Sequence, residues 1–408
     1  MSDLLKKLQS MGLKIEKGLN FQPDPRSQLS IDKVIQGEWI ESHGERIYLS
    51  RKFYPFGYIH GNVVIKNEFS PETIPQFWGI DHNYQAIQLS DFLFLDTETS
   101  GLSLGTGSIV FLFGGCFFTI NGLEVFQFFL DDPSCESLFL ANIENLIQKH
   151  ICLVSYNGKA FDVPMLRSRM VLNHMPPASL LRPHIDLLHY ARNLWKLRLE
   201  SRKLSDIEKE IMSFQRSEDE VPGWLVPQLY QDFIISGDAS PLKGVFYHNE
   251  KDIVSLAALF LHINEMVSDQ KIIDSSNILD IISIGTIFQK SGNLSQSEIF
   301  YKLGEKKGIP TDLDSKIFRN YAGLMKKQKN WSEAIRIWEI AANKNDPISC
   351  IELAKYYEHL RINLDKALAW VDTAIDIVTN ASDSNKLSEE LSHRKNRLKG
   401  KINSSYEK

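Results

Sequence analysis

The hydrophobic and polar positions change period along the chain, and the changes divide it. The first 85 or so residues mix amphipathic-helix spacing over residues 4–11 with a strand-like stretch over residues 46–64, punctuated by Pro55, Gly57 and Gly61. This part is expected to flank and pack against the domain that follows. From Asp91 the pattern sharpens. Phe92-Leu93-Phe94-Leu95 is an unbroken apolar run, which predicts a strand buried on both faces. Residues 109–118 and 123–130 predict two more strands, and Asn121-Gly122 between them predicts a tight type I′ hairpin. Helical spacing at Leu138, Ile143, Leu146 and Ile147 is followed by a strand at residues 152–155, a helix at 161–172 and a short strand at 184–187. Three strands, then helix, strand, helix, strand, helix predict an α/β domain over residues 86–270, a mixed five-stranded sheet with helices on both faces.

Past Asp274 only helical periods remain, in pairs marked by small residues. Gly285, Ser297 and Gly304 stand where the next pair has Ala322, Ala334 and Ala341 and the third has Ala354, Ala367 and Ala374. The first step in each set is 12 or 13 positions and the second is 7, while successive pairs start 37 and 32 positions apart. These values bracket the roughly 34-residue period of tetratricopeptide repeats, which residues 275–380 resemble. A plain helical bundle is the alternative. Residues 381–408 are expected to be a basic tail, carrying Arg394, Lys395, Arg397, Lys399 and Lys401 on a fraying helix.

Composition changes this picture little but removes several function classes. With 408 residues, 43% hydrophobic and 24% charged, the chain can bury a core almost throughout and is expected to form more than one domain. Asp3, Lys6, Lys7 and Lys14 break any secretory apolar segment, and residues 108–120 are too short to span a bilayer, so a cytoplasmic protein with no membrane partner is expected. Cys116, Cys135, Cys152 and Cys350 form no CxxC pair, so neither a zinc site nor a disulfide framework is indicated. A net charge of −5 gives no general nucleic-acid coat, so any such ligand needs a local basic groove or bound metal.

The candidate chemistry lies in acids. Alternation along a strand sends Asp96 and Glu98 to one face, where two carboxylates repel unless a cation neutralises them. Asp162 follows the strand at 152–155, although an Asp there also suits a helix start. His248 and Asp252 are four apart and share a helix face. Arg167, Arg169, Lys196, Arg198, Arg202 and Lys203 are candidate phosphate contacts or solvated helix faces, and Trp195, Trp224 and Tyr230 are candidate stacking surfaces or core. Asp186 reads as a supporting residue.

In order and spacing, FLFLDTETSGL and SYNGKAFDVPML, with the late His and Asp, resemble the DEDD exonuclease group of the ribonuclease-H-like superfamily. More narrowly, HIDLLHYARNLW, VPGWLVPQLYQDF and PLKGVFYHNEKDIVSLAAL are similar to the bacterial YprB family, a ribonuclease-H-like domain with tetratricopeptide repeats. The resemblance implies a site of two Mg²⁺ or Mn²⁺ ions, with Asp96, Glu98 and Asp252 as ligands of one and Asp162 at the second. His248 would orient or deprotonate the attacking water, and the activity would be 3′–5′ hydrolysis of single-stranded DNA or RNA ends. One departure stands out. His248 precedes Asp252 by four positions, the spacing of the tyrosine subgroup, whereas the histidine subgroup uses five, the place held here by Tyr247. The alternative function is a scaffold of weak or no activity that binds nucleic acid or a protein or peptide through its repeats.

Overall fold

The computed structural model describes residues 28–70, 77–80, 87–101, 107–217, 220–308, 315–380 and 385–406. The helix expected over residues 4–11 lies outside them. The contacts divide the chain into two units. The first comprises residues 1–69, 87–188 and 203–262, and the second residues 70–86, 189–202 and 263–408.

The first unit is built on strands β1 (Glu38–Ser42), β2 (Glu45–Pro55), β5 (Phe92–Thr99), β6 (Val110–Phe118), β7 (Gly122–Phe129), β8 (Cys152–Ser155) and β9 (His184–Asp186). They form one sheet in the order β1-β2-β7-β6-β5-β8-β9, while β3 (Ile59–His60) and β4 (Val63–Val64) make a separate short ladder. All five expected strands are present. The two extra ones come from the flanking segment, where β2 pairs antiparallel along β7 from Tyr48↔Phe129 to Pro55↔Gly122. Its three consecutive buried residues, Ile47, Tyr48 and Leu49, make it a sheet member rather than a covering segment. The β6–β7 hairpin forms, but its turn is centred on Ile120-Asn121, with Thr119 N donating to Gly122 O at 2.8 Å. None of residues 120–122 has positive φ, so the turn is not type I′. Gly122 is needed for a different reason: a Cβ there would stand 2.2 Å from the carbonyl oxygen of Tyr54 on β2.

Helices α1 (Ile31–Val34), α2 (Glu136–Ile147), α3 (Asp162–Leu172), α4 (Leu187–Leu194), α5 (Leu204–Glu210), α6 (Val226–Ser236) and α7 (Leu242–Ser268) follow the sheet's alternation. Leu93 and Leu95 join Phe139, Leu140 and Ile143 of α2 in one core cluster. Phe92 and Phe94 point the other way, with ring centroids 5.0 and 5.5 Å from Phe260 of α7. The unbroken apolar run of β5 is thus a strand covered on both faces.

Where α7 crosses β6 the approach is close. A Cβ on Gly114 would lie 2.1 Å from Asn249 Oδ1 and 2.2 Å from Ile253 Cδ1. Substituting Gly114→Ala is therefore expected to cost about 1–3 kcal/mol, because the helix must move away from the sheet. Thermal unfolding measures this; an unchanged midpoint would show that α7 is not seated on β6 as described.

The second unit is helical, with α8 (Gln270–Ser275), α9 (Ile278–Lys290), α10 (Leu294–Lys306), α11 (Ser315–Lys327), α12 (Trp331–Ala342), α13 (Pro347–His359), α14 (Leu364–Asn380) and α15 (Asn385–Tyr406). The small residues face each other inside the first pair: Ser297 Oγ donates to the carbonyl of Gly285 at 2.7 Å, and a Cβ on Gly304 would meet Ile282 at 3.1 Å. Ala322, Ala334, Ala341, Ala354, Ala367 and Ala374 are all fully buried in one cluster. The basic C-terminal stretch is not a frayed end. Glu358, buried on α13, is bonded by Arg394 at 3.1 Å, Arg397 at 2.7 Å and Lys401 at 2.8 Å, and these bonds fix α15. Among the described residues, no helix is long and apolar enough to cross a membrane.

Candidate active site

The acids meet at one edge of the sheet because β5 and β8 are parallel neighbours, registered Phe92↔Cys152 to Phe94↔Val154. Their carboxyl ends therefore open on the same side, the edge where ligands of α/β sheets collect. β5 delivers Asp96 and Glu98 there, and its pairing with β6 slips between Glu98 and Thr99, where regular sheet ends. The turn after β8 delivers Asp162. Asp186 at the end of β9 shapes that turn by accepting backbone N–H bonds from Asn157 at 2.7 Å and Lys159 at 3.2 Å, which gives it a supporting place.

Asp162 does not spend its carboxylate on its own helix as a plain cap. Its Oδ1 accepts from Thr97 N at 3.1 Å and from Thr97 Oγ1 at 2.5 Å, which ties the start of α3 to the acid strand. α7 supplies the remaining residues. His248 Nε2 lies 3.3 Å from Asp252 Oδ2 and 4.0 Å from Glu98 Oε1. Glu98, His248 and Asp252 each offer a ligand atom within 4.8 Å of the others, a set able to hold a metal ion.

The electrostatics record the crowding. Burial holds the Asp96 carboxyl well above the ordinary carboxylate range, and the nearby charges of Asp252, Asp162 and Glu98 push the same way. Glu98 is raised well above its ordinary value by burial and then by Asp252 and Asp162, with Arg216 opposing. Asp162 is pushed up to about 6, chiefly by burial, against the lowering effect of the Thr97 hydrogen bonds. Acids destabilised in this way are relieved by a cation of hard oxygen preference. The donor set, carboxylate oxygens and one imidazole, fits a divalent cation.

Several residues of the site lie outside the sequence expectations. Asn249, fully buried, donates from Nδ2 to Asp96 Oδ2 at 3.0 Å, and Gln127 on β7 donates to Asn249 Oδ1 at 2.9 Å. A polar residue inside the apolar run of β7 and another on the apolar face of α7 were the available signals. Arg216 and Glu220 gave none. Arg216 Nη1 donates to Glu220 Oε1 at 2.7 Å, Nη2 bonds Asp252 Oδ1, and Nδ1 of His248 lies 3.2 Å from both Arg216 Nη1 and Glu220 Oε1.

Three of the proposed phosphate contacts are engaged within the protein. Arg169 bonds Glu136 at 2.5 Å, Arg198 bonds Asp280 at 2.5 Å, and Arg202 bonds the carbonyls of Leu199 and Glu200. Trp195 and Tyr230 are core residues, whereas Trp224 is 71% exposed. A Cβ on its neighbour Gly223 would lie 3.9 Å from His248 Nε2, so the backbone just before Trp224 passes beside the site.

A family model and a relative of similar length match the chain. Residues 93–264 match the family described as the RNase_H superfamily. The uncharacterized protein YprB of Bacillus subtilis (strain 168) is 32% identical over 367 residues, covering 86% of this chain and 85% of that one. Among solved structures, the family B DNA polymerase of the hyperthermophilic archaeon Pyrobaculum calidifontis aligns with TM-score 0.35 and 14% identity over 52% of this chain and 29% of its own. Escherichia coli exonuclease I, in its zinc-bound complex with single-stranded DNA, aligns with TM-score 0.30 and 17% identity over 46% of this chain and 43% of its own. The identity to YprB along nearly the whole of both chains is what assigns this one: it belongs to the YprB family, with a ribonuclease-H-like domain followed by a helical region.

Proposed function

We propose that the chain is a divalent-metal-dependent nuclease, a 3′–5′ exonuclease acting on single-stranded nucleic acid. The observation that carries this reading is the convergence of Asp96, Glu98, Asp162 and Asp252 with His248, where desolvation first and neighbouring carboxylates second hold Asp96 and Glu98 above their ordinary range. A folded protein gains nothing structural from such repulsion, and perturbed acids cluster where chemistry is done.

Asp96, Glu98 and Asp252 would hold one Mg²⁺ or Mn²⁺ ion and Asp162 would serve the second. Bound there, the ions supply Lewis acidity toward a phosphodiester and lower the pKa of water. Asn249 and Gln127 keep the Asp96 carboxylate in place. Thr97 does the same for Asp162. His248 Nε2 faces the acids and would accept the proton of the attacking water. Glu220 and Arg216, each 3.2 Å from Nδ1, hold the ring in place from its other side. The α7 geometry supports this role at the four-residue spacing, because His248 and Asp252 sit one turn apart on one face.

The deciding experiment follows end-labelled single-stranded DNA and RNA, linear and circular, with Mn²⁺ and with EDTA. Loss of single nucleotides from linear substrates with Mn²⁺ and no attack on circles is the expected outcome. Cleavage of circles makes the protein an endonuclease, and no cleavage of any substrate leaves the scaffold reading.

A further inference from the structure

Arg216 is bonded from both sides. On one side its Nε and Nη2 make a two-point bond to Glu208, both at 2.7 Å. Glu208 is 2% exposed and is itself fixed, because Ser255 Oγ donates to its Oε1 and His60 Nε2 lies 2.8 Å from that hydroxyl. A forked guanidinium bond to a buried carboxylate is the strongest side-chain anchor available to an arginine. On the other side the remaining N–H groups reach the acids: Nη2 to Asp252 Oδ1, and Nη1 to Glu220 and toward His248. The guanidinium is thus planted by Glu208 and aimed at the site.

The consequence falls on Asp252. Its Oδ1 is on Arg216 and its Oδ2 is 3.3 Å from His248 Nε2. Oδ1 of this expected metal ligand already carries the charged Arg216 hydrogen bond, so an ion that binds Oδ1 meets Arg216 there. We propose that Arg216 is the resident cation of this site: it positions Asp252 and His248 and competes with the divalent ion for Asp252 Oδ1, staying bonded to Glu208 when the ion binds. This inference rests on the metal-site reading above. It also gives the acid cluster a stable form without metal, since a fixed positive charge offsets part of the repulsion.

The test is calorimetric titration of the full chain with Mn²⁺, comparing wild type with R216Q and with R216Q/E208Q. The double variant removes the buried pair together, so Glu208 is not left as an unpaired buried charge. We expect Mn²⁺ to bind about tenfold or more tightly to a folded variant, the equivalent of one charged hydrogen bond no longer in competition. A purely structural arginine predicts weaker or unchanged binding, and either result from a folded variant overturns the proposal.

A second measurement needs no substitution. In wild-type protein carrying ¹⁵N-arginine, Mg²⁺ should shift the Nη signals of Arg216 and leave Nε, held by Glu208, in place. Unmoved Nη signals at saturating Mg²⁺ overturn the proposal as well. Failure of the two readings is separable. Tight binding in the variants without any cleavage removes the nuclease and keeps the resident cation. Cleavage with equal Mn²⁺ affinity in all three proteins does the reverse, and no heat in any of them removes both.

Discussion

Replacing Asp96 with asparagine is expected to lower nuclease turnover on the order of a thousandfold while leaving the fold in place and stabilising the metal-free protein. Asparagine keeps the shape and an acceptor oxygen for Asn249 Nδ2, so the α7 contact survives. What it removes is one charge from a set in which Asp252, Asp162 and Glu98 all act against the ionised form of Asp96. The same charge is an expected ligand to the ion, so function and stability should move in opposite directions. Asn249→Ala provides the contrast. It removes a group that only orients Asp96, for which losses of about ten- to a hundredfold are usual. Single-turnover degradation of an end-labelled oligonucleotide with Mn²⁺, paired with thermal unfolding in EDTA, measures both effects. Turnover within tenfold of wild type would mean that Asp96 is not a ligand of the reacting site.

The acid strand was legible because Phe92-Leu93-Phe94-Leu95 has one physical reading, a strand covered on both faces, and it ends where two carboxylates follow at the strand period. The helix pairs of the second unit were legible for a comparable reason: closely approaching helices restrict side-chain size at fixed steps, and Gly285, Ser297 and Gly304 stand at those steps. β1 and β2 were not assigned to the sheet. Only the central part of β2, Ile47 to Leu49, is continuously buried, and its pairing with β7 is a contact some 80 positions distant that no local pattern carries. The site shows the same division. Asp96, Glu98, Asp162, His248 and Asp252 were legible by their order along the chain, which resembles that of the DEDD group although the His248 spacing departs from it. Arg216 lies in a stretch with no period of its own, and its place is set by Glu208 and Ser255, which neither flank it nor share a repeat with it.

Mn²⁺ should raise the thermal midpoint more at about pH 7.5 than at about pH 5, and the sign follows from the carboxylates. Asp162 has a folded pKa of about 6 against an ordinary 3.8. Between those values the folded chain binds more protons than the unfolded one. The stability this group contributes is therefore fully present below about 3.8 and is lost as pH rises through about 6, a change of about 3 kcal/mol. Asp96 and Glu98, also raised, act in the same direction. His60 acts against them: burial lowers its folded pKa to about 3 from 6.5, so its contribution is present above 6.5 and is lost as pH falls. The metal-free curve alone mixes the two, but His60 titrates with or without an ion, and the difference between curves isolates the acids. The two ions, on Asp96, Glu98 and Asp252 and on Asp162, relieve a repulsion that grows as the raised carboxylates ionise, so the midpoint shift should grow as pH rises through about 6, where Asp162 titrates, and shrink in the Asp96→Asn variant. A shift that is flat with pH, or equal in that variant, would place the bound ion away from these carboxylates.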